Sequence, residues 1–233
     1  MTSSKRLALF DLDHTLLPLD SDYQWADYLA RTGRAGDPAE AQRRNEDLML
    51  RYNAGQLTAE QSAEFMLGLL TRADLPELAR WHEEFMAEII RPAILPTATT
   101  LVQEHVAQGD LCAIVTATNE FVTTPIARAF GIPNLIATIP EMLDGRYTGR
   151  IQGVPSFQAG KITRVNQWLA GMGLNLDDFS RTYFYSDSPN DLPLLEVVSH
   201  PVATNPSETL RQLAQQRGWK ILDLFKDMQD AKS

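Results

Sequence analysis

The stretch "LALFDLDHTLLPLDSDY", residues 7–23, decides the fold. Residues 7–10 are apolar without alternation, the pattern of a short strand buried on both faces. The run stops at Asp11 and Asp13, with only Leu12 between them. Carboxylates that close repel each other and need a cation, a shared proton or good solvation. In a parallel α/β sheet the carboxyl end of a strand is where ligands bind. The pair therefore reads as the start of a site.

Working outward, further short β-prone runs occur at residues 111–115 ("LCAIV"), 182–185 ("TYFY"), 201–203 and 220–222. Helical patterns lie between them, at residues 97–108, 120–130 and 161–172. The second and third of these stop at Gly131 and Gly173, fitting C-caps. Ser207 is placed to N-cap a helix that ends near Gly218. Strands alternating with helices imply a parallel sheet covered on both faces. "MLDGRYTGRIQG", residues 142–153, reads as a hairpin turning at Asp144-Gly145.

Residues 18–91 differ. They carry almost no strand signal and four amphipathic helical runs, at residues 23–31, 39–52, 58–70 and 76–90. Thr58 and Gln61 are spaced as a capping box. The expected organisation is a core domain of residues 1–17 and 92–233 interrupted by a helical domain, residues 18–91. An insert on two short connectors beside a site is positioned to act as a lid. Trp25, Tyr28, Phe65, Trp81 and Phe85 are expected in its core, and Arg43, Arg44 and Arg51 toward solvent.

Composition narrows the function. A net charge of −9 over 233 residues offers no basic field for nucleic acid. The single cysteine, Cys112, excludes an internal disulfide and reads as a small buried hydrophobe. No Cys/His cluster suggests zinc. The first residues contain neither a signal-peptide pattern nor a membrane-length apolar run, so a cytoplasmic protein is the expectation.

The residues after each strand then converge. Asp11, Asp13 and Thr15 follow the first; Thr116, Ala117, Thr118 and Asn119 the second; Ser186, Asp187, Ser188, Asn190 and Asp191 the third. Lys161, at the start of the preceding helix, is the cation placed to join them. This set suits phosphoryl transfer. Asp11, Asp187 and Asp191 are hard oxygen ligands, and Mg²⁺ binds through a few carboxylates plus waters and a substrate phosphate. A carboxylate can attack phosphorus, and a second acid can protonate the leaving oxygen. Phosphate-monoester hydrolysis requires accelerations of up to about 10²¹-fold, so a crowded site is expected.

"DLDHT", "VTATN", "GK" and "YSDSPND", in that order, resemble the four signature motifs of the haloacid dehalogenase superfamily. The helical insert resembles the C1 cap of its phosphoserine-phosphatase-like branch, subfamily IB. The resemblance implies a Rossmann-like core and a Mg²⁺-dependent phosphatase working through an aspartyl-phosphate. By the same resemblance Asp11 is the nucleophile and a metal ligand. Asp13 is the general acid/base, with its backbone carbonyl on the metal. Thr116, Ala117, Lys161 and Asn190 hold the phosphoryl group. Asp187 and Asp191 serve the metal, and Thr15 stabilises the first loop. Dehalogenases of the superfamily lack the second aspartate, so Asp13 favours phosphate chemistry. Phosphoserine phosphatases carry a glutamate nine residues after the nucleophile for the substrate amine. Here Asp20 stands there, one methylene shorter, which makes it the specificity candidate and weakens the case for phosphoserine. The expected partner is a small phosphorylated metabolite such as a phosphoserine-like compound or histidinol phosphate. The rivals are a phosphomutase or phosphotransferase with the same residues, and a non-catalytic phosphometabolite-binding protein.

Overall fold

The computed structural model describes residues 5–226, apart from residues 55 and 57. The chain enters through β1 (Arg6–Phe10), at the middle of a seven-stranded sheet. Its side chains alternate as a strand requires. Ala8 and Phe10 enter the apolar core on one face, and Leu7 and Leu9 enter that on the other.

The helical segment follows: α1 (Ser21–Arg31), α2 (Pro38–Asn53), α3 (Ala59–Gly68) and α4 (Leu75–Phe85). Local chemistry sets their starts. The Asp20 carboxylate accepts from Tyr23 N, Thr58 and Gln61 form the reciprocal capping box, and Asp74 accepts from Glu77 N. The run expected to continue to residue 90 loosens into one π turn over Met86–Ile90. Trp25, Tyr28 and Phe85 are fully buried, with Trp25 and Phe85 packed edge to face at 5.3 Å.

This helical core is continuous with one core of the sheet. The seam runs against α6 (Glu120–Ala129), which follows α5 (Pro96–Ala107). Trp25 meets Phe121 at 5.7 Å, and His82 Nε2 lies 2.8 Å from the Val122 carbonyl. A carbonyl only accepts, so Nε2 carries the proton; burial lowers the His82 pKa and favours this neutral form. Helices α1 and α4 are thus anchored on α6, and α3 packs on the sheet at the strand Arg146–Gln152, with Leu48 of α2 and Met66 and Leu67 of α3 in the same core.

The remaining strands are β2 (Leu111–Asn119), β3 (Asn134–Leu143), β4 (Arg146–Gln152), β5 (Arg181–Ser186), β6 (His200–Thr204) and β7 (Lys220–Leu222). Their order is β4-β3-β2-β1-β5-β6-β7, parallel throughout except for the antiparallel β3–β4 hairpin. Helices α5 and α6 cover one face; α7 (Ala159–Gly171) and α8 (Glu208–Arg217) cover the other. The hairpin turns at Asp144 (φ 49°) and Gly145 (φ 75°), as its dipeptide predicts. The strand run upstream of it, from residue 134, was not expected. Pro140 interrupts that pattern, and the chain changes partner there, leaving β2 and pairing with β4. The end of α3 at Gly68 rests on β4 beside Gly149, whose φ of 82° favours glycine. Among the described residues no single helix is long and apolar enough to cross a membrane.

Candidate active site

Asp11 leaves β1 with its N–H still bonded to the Tyr185 carbonyl at 2.9 Å, so the sheet fixes its backbone. Its side chain is gripped from two sides. Lys161 Nζ donates to Oδ1 at 2.8 Å, and Thr15 Oγ1 lies 3.3 Å from Oδ2. The same Thr15 hydroxyl is 3.3 Å from Asp187 Oδ1 and accepts from Asp187 N at 3.1 Å. One proton serves both carboxylates, so Thr15 holds Asp11 and Asp187 side by side.

Asp13 faces the cleft with both oxygens engaged. Ser21 N donates to Oδ1 at 2.9 Å and Thr118 Oγ1 to Oδ2 at 2.7 Å. Burial, reinforced by the charge of Asp20, pushes its carboxyl up to about 6, against the opposing hydrogen bonds. An acid that titrates near neutrality suits proton donation and return.

Lys161 is buried in the first turn of α7 and also donates to Asp191 Oδ2 at 2.7 Å. Burial opposes its charge, but the Asp11 and Asp191 carboxylates outweigh that and hold its pKa above the ordinary value. The "GK" dipeptide has a steric origin. A Cβ on Gly160 would lie 2.1 Å from the Pro155 carbonyl oxygen, so the turn that aims Lys161 admits only glycine. Asp191 is tied further by Ser186 Oγ, which donates at 2.7 Å. It makes no capping bond to the short helix after it.

Thr116 is buried beneath the cleft, and its hydroxyl accepts from Thr118 N at 3.2 Å. Ala117 and Asn190 are exposed on the rim, with the Asn190 N–H capped by Ser188 Oγ at 3.2 Å. Asp20 also reaches the cleft, although one of its oxygens is occupied by the Tyr23 N–H at 2.8 Å. The cleft encloses about 250 Å³. Asp11, Thr116, Lys161 and Asp187 lie on its core side; Leu48, Met49 and Met66 wall it from α2 and α3. Trp25, Tyr28, Phe65, Trp81 and Phe85 do not line it, and Arg43, Arg44 and Arg51 face solvent.

Some groups at the site were given no role from the sequence. Thr118, expected among the residues that converge after the 111–115 run, lies on the same strand side as Thr116 and proves to hold Asp13. Ser21 acts through its backbone, which carries no compositional trace. Asp22 lines the cleft and accepts from Asn119 Nδ2 at 2.9 Å, while Asn119 Oδ1 caps α6. Burial, with Asp20 and Asp13 nearby, holds the Asp22 carboxyl well above its ordinary range.

The donor set fits a divalent cation. Asp11, Asp187 and Asp191 crowd around one lysine, and burial with the charges of Asp11 and Asp191 pushes Asp187 up to about 8. Among the described residues, no three His, Cys, Asp or Glu side chains form a ready ligand shell, because Asp191 is turned onto Lys161 and Ser186. Two neighbouring carboxylates with open coordination is the arrangement that Mg²⁺ shares with a phosphate.

Known proteins match this assembly. The family pattern of the haloacid dehalogenase-like hydrolases spans residues 8–196. A histidinol-phosphatase from Neisseria meningitidis serogroup C (strain 8013) is 48% identical over 220 residues, covering 94% of this chain and 99% of its own. A crystal structure of a protein of unknown function from Bordetella pertussis Tohama I superposes with a TM-score of 0.95 at 70% identity, over 96% of this chain and 100% of that one. A phosphoserine phosphatase solved as a phospho-aspartyl intermediate analogue shares the fold, with a TM-score of 0.63 at 22% identity over 98% of this chain and 97% of its own. The chain belongs to the haloacid dehalogenase-like hydrolases, and within them to the phosphatases that hydrolyse phosphoric monoesters.

Proposed function

We propose that the protein is a Mg²⁺-dependent phosphatase for a small phosphate monoester bearing an amine, with histidinol phosphate the leading substrate. The observation that carries this reading is the charge of the cleft. Asp11, Asp13 and Asp187 face Lys161 at the phosphate end, while Asp20 and Asp22 stand at the other with no second lysine or arginine among the described lining residues. A carboxylate-bearing substrate such as phosphoserine would find no partner there. An ammonium beside an apolar body would find Asp22 and the Leu48, Met49 and Met66 wall. The 48% identical histidinol-phosphatase supports the same choice.

Asp11 attacks phosphorus, forming an aspartyl-phosphate, and Asp13 gives its proton to the leaving oxygen. Asp13 then takes a proton from the water that releases phosphate. Lys161 and Thr116, with loop N–H groups near Ala117 and Asn190, hold the phosphoryl oxygens as charge shifts. Asp11, Asp187 and the Asp13 carbonyl would hold Mg²⁺, with Asp191 supporting them through Lys161. When bound, Mg²⁺ neutralises phosphoryl charge as a Lewis acid. Residues 18–91 serve as the cap over a core of residues 1–17 and 92–233.

The test is phosphate release with Mg²⁺ and no added acceptor, comparing histidinol phosphate with phosphoserine. The expected result is a kcat/KM at least about tenfold higher for histidinol phosphate, the value of about one charge-assisted hydrogen bond. A preference for phosphoserine would overturn the substrate reading. Turnover only with an acceptor alcohol would make the protein a phosphotransferase.

A further inference from the structure

We infer that Asn205, at the end of β6 and outside all four motifs, is a positioning residue for the catalytic loop; the inference rests on Asp11 and Asp13 being the reacting groups. Its side-chain amide bridges two segments far apart in sequence. Nδ2 donates to the carbonyls of His14 and Thr15, both at 3.1 Å. Oδ1 accepts from Leu224 N at 2.6 Å and Phe225 N at 3.2 Å. Its own N–H donates to Leu222 O at 2.7 Å. Both amide protons and both carbonyl lone pairs are thus used, and they face opposite ways. Aspartate keeps only the acceptor half. Glutamine lengthens the arm by a methylene.

The loop so held needs a fastening. His14 sits at φ 58°, uncommon for a residue other than glycine, so the surroundings must hold the turn. The two bonded carbonyls flank the Thr15 backbone. Thr15 carries the hydroxyl shared by Asp11 and Asp187, and Asp13 lies one residue before His14. Asn205 itself adopts φ 45°, a conformation asparagine tolerates better than most residues. The clamp therefore fastens the loop that carries the two catalytic aspartates directly to the backbone of Leu224 and Phe225. The same tail has independent ties, from Thr97 Oγ1 to the Leu224 carbonyl at 3.1 Å and from Arg211 to Asp223. Those ties reach no part of the loop.

The experiment compares Asn205→Asp and Asn205→Gly with Arg211→Met, a change that loosens the tail alone. Asn205→Gly removes the bonds while accommodating the positive φ, so backbone strain does not confound it. Each full-length variant is assayed with Mg²⁺ on an alkyl phosphate and on p-nitrophenyl phosphate, alongside its thermal melt. Both Asn205 variants are expected to lose about 10- to 100-fold in kcat on the alkyl phosphate with little change in KM, the scale of a misplaced catalytic group. The loss on p-nitrophenyl phosphate is expected to be smaller, because that leaving group needs no proton from Asp13. Arg211→Met is expected to melt earlier and keep its kcat. Asn205 variants that melt earlier yet keep wild-type kcat, or that lose both substrates equally, would overturn the inference. So would failure of both to fold, since the role would then be structural. An active Asp11→Asn control would instead overturn the underlying assignment of the reacting groups.

Discussion

Asp11 and Asp13 lie one residue apart and meet different surroundings. Asp11 is gripped by Lys161 and Thr15; Asp13 is anchored by Ser21 and Thr118 but held up to about 6. Different surroundings are how two carboxylates take two roles. An Asp13→Asn enzyme should lose about 10²–10⁴-fold on an alkyl phosphate, the usual value of general acid catalysis, and much less on p-nitrophenyl phosphate. The same shift has a stability consequence. A carboxyl raised in the folded state favours the protonated form, so its contribution is full below its unfolded pKa, near 4, and is lost as pH rises through about 6. Asp187, raised to about 8, extends the loss upward. Metal-free protein should therefore melt at a lower temperature at pH 8.5 than at pH 5, and Mg²⁺ should restore more at pH 8.5. A melt in EDTA and in Mg²⁺ at both values checks this; a metal-free protein more stable at the higher pH would contradict it. At the far end of the cleft, Asp22→Asn should raise KM for an amine-bearing phosphate about tenfold, the loss of one charged hydrogen bond. Phosphate esters without an amine should be unaffected.

At the scale of elements, the site depends on how strands end and helices begin. Gly160 shows the tolerance. With a Cβ only 2.1 Å from the Pro155 carbonyl, Gly160→Ala must displace the first turn of α7 and Lys161 with it. A shift on the order of 1 Å costs about 10²-fold in rate, so kcat should fall by that order while the far-ultraviolet dichroism stays near wild type. An alanine enzyme with full activity would refute the steric reading. The strand ends were legible because buried parallel strands read as unbroken apolar runs, as residues 7–10 and 111–115 do. The upstream part of β3 was not, because Pro140 and the change of partner break its pattern. Nor was the π turn after Phe85, since Met86, Ala87 and Glu88 are good helix formers and read as a plain continuation of α4.

At the scale of the whole molecule, the motif residues were legible because a phosphoryl site needs unusual residue types at strand ends. Asp11, Asp13, Thr116, Lys161, Asp187 and Asp191 are brought to one sheet edge. What escaped sequence reasoning is what depends on distant packing. Asn205 is an ordinary loop asparagine until β6, β7 and the first loop are placed together. Asp22 reads as an acidic residue in a helix's first turn, favourable for the dipole alone, until Asn119 from β2 is seen to hold it. The anchoring of α1 and α4 likewise appears only when Trp25 and His82 meet α6.

The central claim is that Asp11 performs the attack. Its most direct test is Mg²⁺-dependent phosphate release from histidinol phosphate by wild type and by Asp11→Asn, each checked for an intact fold. The account predicts a loss on the order of 10⁴-fold or more, the scale seen when a nucleophile is removed, with dichroism unchanged. Folded Asp11→Asn protein that still releases phosphate at a rate near wild type would contradict it.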